Sequence, residues 1–340
     1  MTSGTTLDDL EAALEHAIER LDDGSPAGAQ IRYHFGFDDG RPRRGKRLRS
    51  RLALEVAEEE APIRQAQGDT RADALDAAVA VEIIHEFSLI HDDIQDNDRL
   101  RRGREAVWSR YGLAHGINAG DSLCALAYLS LLEGGAPQPP ERKLRMTRAL
   151  LEAHLEMCAG QARDIAFETA EHRVTMEEYR AMIGGKTAAL FGAACELGAL
   201  AAGASDERAR AYARLGRAYG TAFQIEDDAL GIWGDSAATG KPSGADLAKR
   251  KWTFPVVWAL EGPPSRARET VATAYARGAA LDGTTVGAIV AALDELGARA
   301  ACDDAARVEL DDAQTAADAS GIDRSGRVRA FLRQALRRLA

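Results

Sequence analysis

The sequence predicts an all-α fold, and two observations carry that expectation: where the prolines fall, and the lack of any strand pattern. The ten prolines sit at 26, 42, 62, 137, 139, 140, 242, 255, 263 and 264, leaving 63–136 and 141–241 without one. Proline inside a helix costs about 3 kcal/mol, so long proline-free stretches rich in Ala, Leu, Glu and Arg are what helices require. β-branched residues are scattered, and no segment alternates apolar and polar side chains long enough for a half-buried strand. In chain order, helices are expected over 6–22, 45–60, 72–98, 105–112, 117–133, 141–168, 175–203, 206–232, 246–260, 265–279, 284–299, 301–318 and 324–339. Turn chemistry separates them at Asp22-Asp23-Gly24-Ser25-Pro26, at Gly134-Gly135-Ala136-Pro137 and from Gly234 to Gly244, and the stretch 61–71 is polar. Val79 to Ile90 is strongly apolar, which makes 72–98 a core helix, and the Ala-rich segment 265–340 completes the bundle. There is no repeat of fixed period and no shift in composition, so one domain is expected across 1–340.

Composition removes several classes of function. Forty-three basic against 53 acidic side chains give a net charge of −10, which opposes non-specific nucleic-acid binding. Apolar runs are far short of the ~18–20 residues of a membrane span. Met1 to Gly4 has no basic segment leading into an apolar one, the opening a secretory signal needs. Cys124, Cys158, Cys195 and Cys302 show neither CxxC nor metal-ligand spacing and read as reduced thiols. The expectation is an acidic, soluble, cytoplasmic protein with no nucleic-acid partner and no stable membrane insertion.

The chemistry concentrates in Asp92-Asp93-Ile94-Gln95-Asp96, a DDxxD sequence at the end of the core helix. Spacing i to i+4 puts Asp92 and Asp96 on one face, where like charges repel by a few tenths of a kcal/mol. A hard cation such as Mg²⁺ compensates when it holds carboxylates together with substrate phosphate oxygens. Five of the seven Asp-Asp pairs in the chain lie in helix caps and exposed turns, so the motif gains weight only from its surroundings. Arg101-Arg102-Gly103 follows five residues later, and guanidinium forks suit a diphosphate. A second pair, Asp227-Asp228, ends the apolar run Phe223-Gln224-Ile225-Glu226 and precedes Gly240-Lys241-Pro242. Two acidic helix ends trailed by basic residues suggest one cavity with a cation cluster between facing helices. Seven basic residues in eleven from Arg41 to Arg51 add a local positive patch that an anionic ligand would relieve.

From Gly45 to Pro255 these residues resemble the trans-isoprenyl diphosphate synthases, or polyprenyl synthases. The match comprises Gly45-Lys46-Arg47-Leu48-Arg49, Ile84-His85-Glu86-Phe87-Ser88-Leu89-Ile90-His91-Asp92-Asp93, Arg101-Arg102-Gly103, Gly185-Lys186-Thr187, Phe223 to Asp228 and Gly240-Lys241-Pro242. Each piece is weak alone, and six in the family's order are specific. The resemblance implies a helical bundle of the isoprenoid synthase type with its site in the central cavity, and a homodimer. It implies Mg²⁺, three per site, held by Asp92, Asp96 and Asp227. By the same match Lys46, Arg49, His85 and Arg102 bind isopentenyl diphosphate. Arg101, Lys186, Lys241 and Lys251 bind the allylic diphosphate, with Asp228 counted among the substrate-binding residues. Thr187 and Gln224 turn their dipoles to the allylic cation. Metals and cations then stabilise the departing pyrophosphate, which also takes the proton lost after condensation. His85 lies about 10 Å below Asp92 along the helix, at 1.5 Å per residue, which suits a second substrate rather than a shared metal. Three departures stand out: Gly231 where many relatives carry a third aspartate, Trp252 before Thr253-Phe254-Pro255, and Glu105 where proline is common.

Product length should be set below Asp92. Phe87 lies five residues upstream, about 7.5 Å lower at a 1.5 Å rise, and can floor a tunnel beside the small Ser88. An aromatic at that position with an uninterrupted first motif resembles geranylgeranyl diphosphate synthases, so C20 is expected, ahead of C15 and C25. A class I terpene cyclase would share the fold and the metal, but it would lack Lys46, Arg49 and Arg102 and would carry a different second motif than one with Gly231 and Asp235. A non-catalytic helical subunit would show erosion of the aspartates or of Lys46, Arg49 and Lys186, and none is eroded.

Overall fold

A computed structural model describes residues 7–21, 24–38, 45–64, 70–135, 138–170, 172–234, 244–276 and 281–337, with side chains left undescribed at 62–64, 70–73 and 337. It is helical almost throughout, as expected. The elements are α1 (Leu7–Glu19), α2 (Pro26–Phe35), α3 (Leu48–Arg64), α4 (Thr70–Gln95), the strand pair β1 (Leu100–Arg101) and β2 (Arg104–Glu105), α5 (Val107–Tyr111), α6 (Leu113–Glu133), α7 (Pro140–Glu168) and α8 (Met176–Ile183). A π-helical turn (Gly184–Ala188) leads into α9 (Ala189–Ala201), α10 (Asp206–Trp233), α11 (Ala245–Ala248), α12 (Phe254–Glu261), α13 (Arg266–Tyr275), α14 (Gly283–Leu296), α15 (Ala298–Ser320) and α16 (Arg327–Arg337). No helix among the described residues is long and apolar enough to cross a membrane.

Four local expectations are corrected. No helix is expected between 22 and 45, yet α2 forms there. Ser25 sits in extended conformation at its N-cap, Pro26 opens its first turn, and Gly36 ends it at φ 76° with its N–H donating to Arg32 and Tyr33 carbonyls. Proline at a helix start and glycine at its end are start and stop signals rather than breakers. No strand is expected anywhere, yet ahead of α5, which lies within the expected 105–112 helix, the chain makes a hairpin pairing Leu100 with Glu105 and Arg101 with Arg104. Arg102 and Gly103 both take positive φ, 52° and 76°, as a two-residue hairpin turn demands. The expected 175–203 helix is interrupted by the π turn, a feature that often marks a functional site. The expected 246–260 helix is split: Arg250 turns the chain at φ 54°, and α12 restarts after Thr253, extended at the N-cap position, with Pro255 in its first turn.

The chain divides into two compact units. The first comprises 1–154, 193–213 and 320–331; the second comprises 155–192, 214–319 and 332–340. In the first, α4 is packed against α3 and α6 through a core of small and branched residues, with Ala77, Ala80, Val81, Ile83 and Ile84 fully buried. Gly198 lies so close to α3 that a Cβ there would meet the Ala53 carbonyl at 2.2 Å. In the second, Phe167, Tyr179, Ile183, Ile225, Phe254 and Val257 form one buried cluster. All four cysteines are free thiols.

Candidate active site

In the first unit the end of α4 carries the first acidic motif. Asp92 and Asp96 are half-buried, and the Asp96 N–H donates to the Asp92 carbonyl at 2.8 Å, so the helical turn that stacks them persists past Gln95. Asn97 then leaves the helix at φ 54°. Asp93 points elsewhere. It is buried and accepts from Arg101 Nε at 2.9 Å and Nη2 at 2.5 Å, which ties the hairpin to α4. Burial pushes the Asp93 carboxyl up, against the opposing pull of Arg101. Arg101, expected on a diphosphate, is thus held at the motif by the aspartate that does not share the Asp92–Asp96 face. Among the described residues no three His, Cys, Asp or Glu side chains converge as a complete metal cage. Two carboxylates one turn apart are what Mg²⁺ takes when substrate phosphates and water supply its other ligands, so the donor set fits that ion.

The basic group lies in the same unit. Lys46 is exposed just before α3, while Arg49 and His85 are partly buried, with Arg49 Nη1 donating to His85 Nε2 at 3.3 Å. Burial, then the Arg49 guanidinium, hold the imidazole well below its ordinary range, so it is neutral at pH 7 and acts as an acceptor. Arg102 sits at the hairpin turn in left-handed conformation. That hairpin is clamped from α2: the Tyr33 hydroxyl donates to the Glu105 carbonyl at 2.9 Å, and the Arg104 and Arg110 guanidiniums lie 3.9 and 4.4 Å from its ring centroid. Below the aspartates, Phe87 is buried, its ring edge-on to His91 at 4.8 Å and to His154 at 5.0 Å. His154 in turn shares a 2.7 Å hydrogen bond with Tyr128. Ser88 donates to the His85 carbonyl at 2.7 Å, which keeps its small side chain against the helix.

The second unit holds the other group. Lys186 projects from the π turn and pairs with Asp164 of α7. This register depends on two glycines: a Cβ on Gly160 would lie 2.0 Å from the Lys186 nitrogen, and one on Gly185 would lie 2.5 Å from the Glu156 carbonyl. Gly160→Ala must part the two backbones and is expected to destabilise the chain by about 1–3 kcal/mol, read as a lowered Tm. Thr187 Oγ1 donates to Gln224 Oε1 at 2.6 Å, and Gln224 Nε2 donates to Asp228 Oδ1 at 2.9 Å. Asp228 Oδ2 accepts from the Tyr179 hydroxyl at 2.7 Å and the Phe254 N–H at 2.8 Å. Burial pushes Asp228 up to about 7, despite those donors. Its neighbour Asp227 is exposed, so of the second Asp-Asp pair one member is internal structure and the other faces outward. Where the third aspartate of the motif is replaced by Gly231, a Cβ would meet Asp246 Oδ2 at 2.3 Å, so Asp246 brings a carboxylate to that place. Lys251 is partly buried, its carbonyl taking the Tyr275 hydroxyl at 3.0 Å. Lys241 lies outside the described residues.

The described site residues therefore gather into two groups. Lys46, Arg49, His85, Phe87, Ser88, Asp92, Asp96, Arg101 and Arg102 belong to the first unit; Lys186, Thr187, Gln224, Asp227, Asp228 and Lys251 belong to the second. Tyr33, Glu86, Asp164 and Asp246 were not singled out from the sequence. Charge at positions 164 and 246 was visible, but only the folded backbone brings those carboxylates to Lys186 and Gly231.

Residues 40–291 match the family model described as "Polyprenyl synthetase". The chain belongs to the polyprenyl synthetase family. A geranylgeranyl diphosphate synthase of Mycobacterium tuberculosis is 39% identical over 269 residues, covering 78% of this chain and 73% of the relative. A (2E,6E)-farnesyl diphosphate synthase of Mycobacterium bovis is 41% identical over 247 residues, covering 71% and 66%. Among solved structures, a geranylgeranyl pyrophosphate synthase from Corynebacterium glutamicum, complexed with isoprenyl diphosphate and magnesium, superposes with a TM-score of 0.80 at 25% identity over 98% of this chain and 99% of that one.

Proposed function

We propose that this polyprenyl synthetase is a trans-prenyltransferase that joins isopentenyl diphosphate to an allylic diphosphate, dimethylallyl, geranyl or farnesyl, and releases C20 geranylgeranyl diphosphate. One observation carries the reading: a carboxylate pair on one helix face, Asp92 and Asp96, with a buried aromatic ring roughly one and a half turns below it on the same helix. By the family resemblance Asp92, Asp96 and Asp227 would hold a divalent cation, three Mg²⁺ per site being proposed, and it would supply Lewis-acid stabilisation of the pyrophosphate leaving group. The protein's own side chains do the rest. Lys46, Arg49 and Arg102 neutralise the isopentenyl diphosphate, and neutral His85 orients Arg49 by accepting from it. Arg101, Lys186, Lys241 and Lys251 take the allylic diphosphate, drawing negative charge away as its C–O bond ionises. Thr187 and Gln224, locked by their mutual hydrogen bond, keep oxygen dipoles toward the allylic cation. The isopentenyl double bond attacks that cation, and the departed pyrophosphate accepts the proton then lost.

Purified protein with Mg²⁺ and labelled isopentenyl diphosphate, given each allylic primer in turn, is expected to yield one C20 alcohol after dephosphorylation. A C15 product, as the farnesyl synthase relative suggests, or a C25 product would keep the mechanism and overturn the C20 assignment. No label uptake, with hydrocarbon formed from the allylic substrate alone, would replace the reading with a terpene cyclase.

A homodimer is proposed on a second observation. Leu113, Ile117, Leu129 and Leu132 of α6 and Leu144 and Leu151 of α7 are large apolar side chains exposed to solvent. Leu113 and Ile117 sit one turn apart at one end of α6 and Leu129 and Leu132 one turn apart at the other, and a second copy would cover such exposed apolar side chains. Leu129→Glu is expected to give a monomer by sedimentation where the wild type sediments as a dimer. The four free thiols support a reducing, cytoplasmic setting.

A further inference from the structure

Glu86 follows His85 on α4, and its side chain is completely buried. Its Oε1 accepts from Arg47 Nη1 at 2.6 Å and from Arg102 Nη2 at 2.8 Å, and its Oε2 accepts from His34 Nε2 at 2.8 Å. The three donors come from three elements: α2, the segment leading into α3, and the hairpin turn. Arg47 is itself fully buried and left-handed at φ 48°, its other edges held by Glu11 at 2.8 Å and Glu82 at 2.9 Å. Ser50 closes the network by donating to Glu82 at 2.7 Å. A Cβ on Gly45 would lie 3.3 Å from Arg102 Nη2, so that guanidinium packs across the glycine of the Gly45–Arg49 segment. Only Arg102, 27% exposed, reaches from this network toward solvent.

Two guanidiniums meeting at one carboxylate oxygen would repel without the carboxylate. An arginine left unanchored must also be ordered when its ligand arrives, a cost that preorganisation removes. We propose that Glu86 is a positioning residue for the isopentenyl diphosphate subsite: it fixes Arg102 and the Gly45–Arg49 segment against each other without contacting substrate. This rests on the assignment of Lys46, Arg49, His85 and Arg102 to that diphosphate. Glu86 stays ionised in place. Burial raises its pKa, but Arg102, His34 and Arg47 together hold it well below the usual carboxylate range.

The test is a double-mutant cycle on the full chain with Glu86→Gln, Arg102→Ala and both, each substrate being varied separately. Glutamine keeps the size but turns one acceptor oxygen into an N–H facing a donor. Glu86→Gln is expected to raise KM for isopentenyl diphosphate by about tenfold or more, while KM for the allylic diphosphate stays within about threefold. With Arg102 already replaced by alanine, Glu86→Gln should add less than about threefold. A purely structural role would move both KM values together, or keep its full effect in the Arg102→Ala background, and either result overturns the proposal. If Glu86→Gln does not fold, His34→Gln, which disturbs only the Oε2 contact, should raise the isopentenyl KM alone by about threefold; an unchanged KM overturns the proposal. Wild-type protein that incorporates no isopentenyl diphosphate with any primer would fail the underlying assignment first, and that outcome is distinct from a failure of Glu86.

Discussion

Phe87→Ala is expected to lengthen the product. Phe87 is 8% exposed and lies between the imidazoles of His91 and His154, which grip its ring edge-on. Truncation to a methyl group leaves those imidazoles in place, that of His154 braced by Tyr128. The emptied volume then stays open rather than collapsing. On the proposed C20 assignment, with Phe87 as the floor, that volume admits at least one more five-carbon unit, so C25 and longer products are expected. The same truncation removes core packing, at a cost of about 3–5 kcal/mol for a buried aromatic, so a fall in Tm should accompany the change. Sizing of dephosphorylated products checks it. Destabilisation with unchanged chain length would mean that Phe87 is core alone.

Asp92→Asn is expected to lower kcat by about a thousandfold, with Tm nearly unchanged. The carboxylate is half-buried at the last turn of α4, so the amide costs the fold little. What it loses is charge on the one face where Asp92 and Asp96 stand together, and with it, on the proposed assignment, the grip on a divalent ion. Titrating Mg²⁺ separates this from general damage: the variant should need far more Mg²⁺ for half its residual rate, and chelation should stop the wild type. Wild-type turnover in the variant would dismantle the metal assignment.

Much of this was legible before the fold. The helical content followed from proline placement, and the DDxxD register followed from helical spacing, which the structure keeps through Asp96. Local signals failed where they had two meanings. Pro26 reads as a breaker in a loop and as a first-turn residue in a helix, and only its packing chose the second. Arg102-Gly103 has no strand pattern around it, because a strand pair two residues long is too short to show period two. Charge networks were least visible. Nothing local distinguishes Arg47, the buried hub, from Lys46 and Arg49 beside it, since burial depends on Glu11, Glu82 and Glu86, at sequence distances of 36, 35 and 39. For the same reason the two members of Asp227-Asp228 look alike in sequence, yet one is exposed and the other buried under Tyr179 and Phe254.

Within the five-residue acidic motif, three aspartates serve two trades. On the proposed assignment the outer pair seats a cation, while Asp93 is a mooring that ties down the hairpin bearing Arg101 and Arg102. On the proposed assignment, loss of any of the three would weaken turnover, yet Asp93 would do so by setting the hairpin adrift. Its defect would appear in affinity for the organic substrates, and added magnesium would not repair it. A scan that scored only dead or alive would merge these lesions into one, whereas a metal titration would tell them apart.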